Sequence, residues 1–498
     1  MARRPLARFV PLATIALLVG ALFRQTSAYG LLGFDSYPLI VSSRVQSLAD
    51  FFGNFTESLM DGRYAGDFYR PLLNFTFAMD HAIWDLDPFG YQLTSALLLA
   101  VCACAVWALL RRLLGADAVL GSTVGLLAFL LSPLLFEVLP VPPRRPELLC
   151  CGLMALALWL QLSPGTLRSR GFAVWPAVAT LLAIASKETA FVIPILVAVV
   201  VALYSDRRGL QRLRHVATAS SLHLAAAAIM MLARFLVLGG MGGHRSLSPS
   251  DMAAAAPRAV QVLLEHLVWP QPSMRAAPAA WPLLALLVVG LVATFALARS
   301  RSSRERTPLG RPAKTAIVGV LWILLLALTY AAAGLVGPWY LLLPLAGWAL
   351  LTGALVEALF GFVEYDEARL RWSALTSSAL LVVLLIWQAS YSPLLRRYDE
   401  WQRATYSANA FLGETRSLIE AATDGDTVMA PPLPTWVPQR DDGPTIRGAA
   451  IFDVYSVQAW AELALPERNV RVCYASDDVT PAVADEVLLL IASRLETY

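Results

Sequence analysis

A polar, aromatic-rich interval between two long apolar segments decides how this chain is organised. It runs from Tyr29 to Tyr91 and reads YGLLGFDSYPLIVSSRVQSLADFFGNFTESLMDGRYAGDFYRPLLNFTFAMDHAIWDLDPFGY. Asp35 lies near its start, and the run Tyr69-Arg70-Pro71-Leu72 lies further along it. An acid, an arginine and many aromatic rings at one interface of a membrane protein indicate a site that handles a ligand.

The composition excludes a soluble protein. The chain has 498 residues, of which 57% are hydrophobic and 15% are charged, and its mean hydropathy is +0.60. Soluble domains carry about 25% charged residues. The missing charge and the repeated apolar segments of about 18 or more residues predict a polytopic helical membrane protein. A soluble enzyme built around one large core is therefore excluded.

The charge is divided unevenly along the chain. The net charge is +3, but the region from Pro393 to the end carries 16 acidic residues against 9 arginines, so the remainder carries +10. That basic excess lies in short loops between apolar segments, which the positive-inside rule assigns to the cytoplasm. The basic residues therefore report orientation in a lipid bilayer, and we expect no nucleic-acid partner.

The alternation of apolar segments and basic loops predicts about eleven transmembrane helices. The N-terminus is expected in the cytoplasm, which places the Tyr29–Tyr91 interval and the acidic tail outside. The predicted spans are 9–23, 92–110, 119–136, 148–162, two within 172–204 that divide at Lys187, 215–238, 281–298, 316–335, one ending near 360, and 372–386.

The C-terminal region differs in kind from the rest. A helix-like segment, 394–422, is followed by short apolar runs that proline, aspartate and glycine separate, which indicates a small α/β or strand-rich domain. The predicted fold is thus an all-α polytopic membrane domain, 1–390, with a small extracytoplasmic α/β domain, 391–498. Arginine almost replaces lysine, which is typical of a GC-rich bacterial genome, so we expect the plasma (inner) membrane.

Asp35 is the candidate catalytic residue. An acid beyond the end of the first helix could act as a general base, orient an acceptor hydroxyl or bind a metal ion. The alternative is an ordinary loop aspartate. A divalent cation prefers more than one hard oxygen ligand, and the neighbouring Phe34 cannot supply one. A divalent metal ion is one open option, and no cofactor is assigned.

Arg70 is the candidate for binding an anion. Its planar guanidinium can grip a phosphate in two places and keeps its charge in a poorly hydrated interface. The alternative is that Arg70 snorkels to lipid headgroups while Pro71 opens a helix.

Two further groups of charged residues are expected on the same side of the membrane. Arg144, Arg145 and Glu147 occupy one turn, and Lys187 and Glu188 occupy another. Each pair alone is typical of an ion pair or an interfacial anchor. Together with Arg70 they could form a basic site for a lipid-linked phosphate.

Several motifs, taken in order, give the chain a family likeness over roughly residues 34–340. It resembles the GT-C fold membrane glycosyltransferases, and within them the protein O-mannosyltransferase-like branch that includes the tetratricopeptide-containing O-mannosyltransferases and their bacterial relatives. The motifs are the acid Asp35, YRPL (69–72), DPFGYQL (87–93), PLLFEVLP (133–140), RRPELL (144–149), SKETAFVIPIL (186–196) and the aromatic turn at Tyr340.

The resemblance implies a transferase, expected to be inverting, that takes a sugar from a polyprenyl-phosphate donor. The sugar would pass to a protein, lipid or glycan acceptor on the extracytoplasmic side. By the same likeness Asp35 would act on the acceptor. The residues implied to bind the substrate, chiefly at the donor-phosphate end, are Tyr69, Arg70, Arg145, Glu147, Lys187, Glu188 and Tyr340.

Two other functions stay open. A transporter or flippase of a lipid-linked substrate is expected to show paired repeats and broken helices at the membrane midplane. Here the sequence shows no internal repeat, and its polar residues gather at the outer surface. A catalytically inactive relative could serve as an assembly platform, with the tail as its binding module. Such a platform should tolerate replacement of Asp35.

Overall fold

In the computed structural model, most of the described residues are helical, and six of the described helices are long and apolar enough to cross a membrane. The structure describes residues 6–62, 68–168, 174–240, 242, 257, 267, 288–292, 310–333, 337–363, 368–395, 399–432, 436–437 and 449–473. The six are Pro88–Leu114, Val119–Glu137, Gly209–Leu238, Arg311–Ala333, Pro338–Val363 and Ala368–Ser390, and shorter apolar helices cover Val10–Thr26, Val174–Ser186 and Glu188–Tyr204. The chain is therefore a multi-pass membrane protein.

The α-helices are numbered here in chain order. They are α1 Leu6–Thr26, α2 Ser36–Ser43, α3 Leu48–Thr56, α4 Pro71–Trp84, α5 Pro88–Leu114, α6 Val119–Leu130, α7 Arg145–Gln161, α8 Pro164–Arg168, α9 Val174–Ser186, α10 Ile193–Tyr204, α11 Gly209–Leu238, α12 Arg311–Ala333, α13 Leu342–Val363, α14 Ala368–Ser390, α15 Asp399–Ala421 and α16 Val454–Ala464. Short 3-10 turns cover Leu59–Gly62, Pro133–Glu137, Pro142–Arg144, Glu188–Val192 and Pro338–Leu341.

Two predicted interruptions coincide with breaks in the helices. The segment 172–204 divides where α9 ends at Ser186 and the 3-10 turn begins at Glu188. The proline-rich segment after Glu137 is not α-helical and contains only a short 3-10 turn until α7 begins at Arg145, because proline lacks the amide hydrogen that a helix interior needs. The predicted span 281–298 lies mostly outside the described residues, so the count of eleven spans stays a prediction.

Small residues let the membrane helices approach closely. A Cβ atom on Gly319 of α12 would lie 2.7 Å from the Gly347 carbonyl oxygen of α13, and one on Gly347 would lie 2.8 Å from the Gly319 carbonyl. Gly121 of α6 and Gly353 of α13 face each other in the same way. Lipid chains are as apolar as the helix surfaces, so the hydrophobic effect does not drive helices together in a membrane. Their association depends instead on close packing of this kind.

The described parts of the first loop, residues 27–62 and 68–87, are largely helical. The loop contains α2, α3 and α4 and returns to the bundle at α5. The run Ser47-Leu48-Ala49-Asp50 starts α3 with a capping box, in which the Ser47 side chain and the Asp50 carboxylate each accept a backbone N–H. The described parts of the polar interval that the sequence marks therefore form short helices that pack on one another and on α5 and α9.

The C-terminal region packs directly on the first loop. Its strands are β1 Thr427–Met429, β2 Trp436–Val437, β3 Ala449–Ala450 and β4 Arg471–Cys473, with β1 parallel to β4 and β2 antiparallel to β3. The Phe452 ring lies 5.6 Å from the Tyr37 ring of α2. Residues 474–498, which contain the last of the apolar runs, lie outside the described residues, so the boundary and class of this domain stay predictions.

Candidate active site

Asp35 lies in the first loop between α1 and α2, at the N-cap position of α2. A side chain at that position commonly accepts a hydrogen bond from the first turn of the helix, but the Asp35 carboxylate makes no such bond. It accepts a hydrogen bond from the Tyr455 hydroxyl instead, with an oxygen–oxygen distance of 2.8 Å to Oδ1. The carboxylate is therefore turned away from its own helix and towards the C-terminal region.

The electrostatic surroundings of Asp35 are mixed. Burial raises the pKa of this carboxyl above its ordinary value, and the charge of Asp453 acts in the same direction. The Tyr455 hydrogen bond and the charges of Arg70 and Arg144 lower it, but the net pKa stays raised. A carboxylate with a raised pKa is a better proton acceptor once it is ionised, which suits a general base.

Arg70 joins the first loop to the turn between α9 and α10. Its Nε donates to Glu188 Oε2 at 3.1 Å and its Nη2 donates to Glu188 Oε1 at 2.7 Å, so the pair is bidentate. The guanidinium also lies 4.4 Å from the centre of the Phe68 ring. Burial opposes the charge of Arg70, but Glu188 outweighs it and raises the pKa. Arg70 therefore stays cationic.

Lys187 and Glu147 form a second, more deeply buried pair. Lys187 Nζ is bonded to Glu147 Oε1, and both side chains are 3% exposed. The Lys187 ammonium also lies 4.3 Å from the centre of the Tyr340 ring. Among the described residues, no hydrogen-bond donor reaches the other carboxylate oxygen, Glu147 Oε2. A buried oxygen of this kind usually has a partner such as water or a ligand.

Arg144 is the third cation of the cluster. It donates to the backbone carbonyl of Glu137, and its guanidinium lies 4.1 Å from the centre of the Trp339 ring. Burial lowers the pKa of Arg144 to about 10, and the negative charge of Asp35 acts in the opposite direction. Arg144 is therefore near enough to Asp35 for the two charges to influence each other.

Arg145, which the sequence assigns to the donor-phosphate end, lies in a different environment. Its Nη1 atom is 2.6 Å from Asp80 Oδ2, and the two side chains are 1% and 3% exposed. This contact is an ion pair, and Arg145 donates hydrogen bonds to Ser95 Oγ, at 3.0 Å, and to the Tyr91 carbonyl. Arg145 therefore joins α4 to α5 and α7, and its charge is neutralised there by Asp80.

The two tyrosines proposed from sequence also have structural contacts. The Tyr69 hydroxyl donates to the Phe55 carbonyl at 2.7 Å, which ties the chain before α4 to the end of α3. Tyr340 stacks on Tyr330 with ring centres 5.6 Å apart. Of the two, only Tyr340 contacts a charged side chain of the cluster, because its ring faces Lys187.

Sequence reasoning missed two residues at this site. Arg234, near the end of α11, is 6% exposed and lies within electrostatic range of Arg70 and Glu188. The sequence could have indicated Arg234, because an arginine inside an apolar segment commonly marks a functional site. Tyr455 had no such signal, since 420 positions separate it from Asp35.

The described residues provide no obvious metal centre. Within them, no group of three or more His, Cys, Asp or Glu side chains could hold a metal ion. The charged and hydrogen-bonding groups that act on Asp35 are Tyr455, Arg70, Arg144 and Asp453. What the arrangement can do follows from these groups: Asp35 can accept a proton beside a cluster of cations and aromatic rings.

Comparisons with known proteins give weak likenesses in structure alone. No protein-family model and no curated protein sequence matches the chain. The structure of ArnT from Cupriavidus metallidurans bound to undecaprenyl phosphate aligns with a TM-score of 0.44 and 15% identity, over 93% of this chain and 89% of that one. An oligosaccharyltransferase of Archaeoglobus fulgidus, tethered with an acceptor peptide, aligns with a TM-score of 0.42 and 10% identity, over 93% of this chain and 63% of that one. TM-scores below 0.5 do not establish a common fold, so the proposed function rests on this chain's own residues.

Proposed function

We propose that this chain is a GT-C type membrane glycosyltransferase. It moves a sugar from a polyprenyl-phosphate donor to a protein, lipid or glycan acceptor on the extracytoplasmic side. One observation carries the proposal: the Asp35 carboxylate is not used to cap its helix and lies within electrostatic range of Arg70 and Arg144. The order of the motifs in the sequence supports the same reading.

Asp35 is proposed as the general base. The acceptor hydroxyl gives its proton to the carboxylate as its oxygen attacks the anomeric carbon of the donor sugar. The bond from that carbon to the phosphate oxygen breaks, and its electron pair leaves with the polyprenyl phosphate. Attack from the side opposite the leaving group inverts the sugar carbon. General-base assistance of this kind contributes about 100-fold to 10,000-fold to a rate.

The leaving phosphate gains negative charge as that bond breaks, so it needs fixed positive charge nearby. Arg70 is held by two bonds from one edge of its guanidinium to Glu188, and Nη1 makes no hydrogen bond to another described residue. Lys187 is fixed between Glu147 and Tyr340. We propose that Arg70 and Lys187 bind the donor phosphate. Arg144 is proposed as the third phosphate-binding cation, a role that the sequence analysis gave to Arg145.

The acids beside these cations hold them in position. A cation in a poorly hydrated site is costly unless it is paired, and the Glu188 and Glu147 carboxylates supply the pairing before the donor arrives. Arg234 adds a further positive charge near Arg70 and Glu188. A bilayer-anchored donor presents its phosphate at the membrane surface, which is where helix ends place this cluster in the proposed topology.

The test is sugar transfer by membranes that contain the protein, with a panel of labelled polyprenyl-phosphate sugars. Asp35→Asn keeps the size of the side chain and removes the base, so we expect at least a 100-fold loss of transfer. Asp85→Asn is the matched control, because Asp85 lies in the same loop with its side chain 83% exposed. Both variants must be present in the membranes at the wild-type level.

The outcomes separate the candidate functions. Loss of transfer in Asp35→Asn alone supports a transferase with Asp35 as its base. Equal transfer by all three proteins contradicts the role of Asp35. If no donor supports transfer by the wild-type protein, the transferase proposal fails, and transport of a lipid-linked substrate or a platform role takes its place.

A further inference from the structure

One segment of the C-terminal region holds the Asp35 turn at three consecutive positions. The Gly33 amide donates to the Ile451 carbonyl at 2.9 Å, and the Ser456 hydroxyl donates to the Phe34 carbonyl. At the third position, the Tyr455 hydroxyl donates to Asp35 Oδ1 at 2.8 Å. The backbone of the turn and the carboxylate itself are thus both fixed by residues 451–456.

Gly33, the first residue of this turn, also lies close to Val141. Gly33 has φ +102°, a conformation that glycine adopts without the cost that a Cβ atom adds. A Cβ at this position would lie 2.5 Å from Val141 Cγ1. Position 33 therefore requires glycine, because a side chain there would collide with the segment that precedes α7.

Tyr455 in turn stands on a rigid support. It belongs to the first turn of α16, where the Asp453 amide donates to Ser456 Oγ at 3.0 Å. The preceding Phe452 is 1% exposed and lies between Tyr37 and Phe411. The Tyr455 hydroxyl is thus carried by a segment that a buried ring and a helix start hold in place, and such support can fix the orientation of a carboxylate.

We propose that Tyr455 is a positioning residue for Asp35: it occupies Oδ1 and leaves Oδ2 to receive the acceptor proton. The C-terminal region would then complete the catalytic site rather than serve only to bind a partner. This inference rests on the proposed transferase function. Its physical core, the contact between the hydroxyl and the carboxylate, can be tested separately.

The contact has a consequence that pH reveals. The groups acting on Asp35 are Tyr455, Arg70 and Arg144, which favour its ionised form, and Asp453, which opposes it. Removing the Tyr455 hydroxyl raises the pKa of Asp35 further, because a hydrogen bond to the charged form is lost. A general base must be ionised to act. The acid limb of the rate profile therefore moves to higher pH in a variant that lacks the hydroxyl.

The experiment compares wild type with Tyr455→Phe and uses Tyr406→Phe as control, because Tyr406 lies on α15 and is 68% exposed. Transfer is measured as a function of pH, with initial rates at saturating donor. Loss of one hydrogen bond to a charged group shifts the acid limb by about one pH unit, which is a loss of about tenfold below that limb. Raising the pH restores the rate of Tyr455→Phe, whereas a merely structural defect lowers the rate equally at every pH.

A second readout does not require transfer. Infrared difference spectroscopy follows the protonated carboxyl of Asp35 during titration, and its band is identified by its loss in Asp35→Asn. The inference predicts that this titration moves to higher pH in Tyr455→Phe and stays unchanged in Tyr406→Phe. A titration that does not move overturns the inference, whatever the activity. If the titration moves but the protein transfers no sugar, the contact between Tyr455 and Asp35 is supported and the proposed transferase function is contradicted.

Discussion

The buried pair of Arg145 and Asp80 makes a strong prediction, because sequence reasoning placed Arg145 in the substrate site. We expect Arg145→Gln to act on stability instead. Nη1 and Oδ2 are 2.6 Å apart, and the two side chains are 1% and 3% exposed. Removing the arginine leaves the Asp80 carboxylate buried without its compensating charge, although Thr94 still donates to Asp80 Oδ1.

The expected magnitude follows from that burial. Breaking a buried ion pair by removing one partner costs about 3–5 kcal/mol, since the remaining charge has lost its solvation and its partner. In domains of about 150–250 residues each kcal/mol lowers the melting temperature by about 2–4 °C. We therefore expect the purified variant to melt several degrees below wild type. The assay is tryptophan fluorescence during heating in detergent.

Two further variants separate this explanation from others. Asp80→Asn removes the orphaned charge, so the double variant with Arg145→Gln should lose less stability than the sum of the single variants. Arg144→Gln should lower the melting temperature less, because its ion pair with Glu137 is longer, at 3.7 Å, and both side chains are more exposed, at 11% and 18%. The reasoning is refuted if Arg145→Gln melts with wild type while losing transfer activity.

Two other parts of the structure give predictions of the same kind. Glu188→Gln weakens the bidentate support of Arg70, so the KM for the donor should rise severalfold in a steady-state assay. Glu414→Gln is the control and should leave it unchanged, because Glu414 lies on the exposed face of α15. Gly347→Val places a side chain against the Gly319 carbonyl at 2.8 Å, so the helices cannot approach. The variant should aggregate on size-exclusion chromatography, whereas Gly361→Val, with open space around it, should elute normally. An unchanged KM in Glu188→Gln would contradict the support of Arg70 by Glu188. Normal elution of Gly347→Val would contradict the close packing of α12 and α13.

The parts of the fold that the sequence predicts are those controlled by local chemistry. Proline spacing predicts the irregular segment after Glu137, and the polar Ser186-Lys187-Glu188 run predicts the break between α9 and α10. Apolar length predicts the long spanning helices, because a bilayer core needs about 20 apolar residues per helix. None of these inferences depends on which helix packs against which.

The parts that sequence could not predict depend on tertiary packing. Arg144 ends the 3-10 turn before α7 and Arg145 begins α7, so the two side chains leave the backbone in different directions. One of them therefore faces Trp339 and the Asp35 neighbourhood while the other faces Asp80. Nothing in the sequence states which arginine takes which direction.

The pairing of Arg70 with Glu188 illustrates the intermediate case. Sequence reasoning placed both residues on one side of the membrane and expected them near one site, but 118 positions separate them. Their direct bidentate contact follows from how α4 meets the turn after α9. The sign of the charge and the expected side of the membrane limit which residues could pair. Which residue pairs with which follows only from the packed structure.

The central claim is that Asp35 is the base for transfer of a sugar from a polyprenyl-phosphate donor. It is tested most directly by release of polyprenyl phosphate from a defined donor by purified protein in vesicles, followed by mass spectrometry. The proposed mechanism predicts acceptor-dependent release by wild type and Asp85→Asn, and at least 100-fold slower release by Asp35→Asn. Equal release by Asp35→Asn and wild type would contradict it.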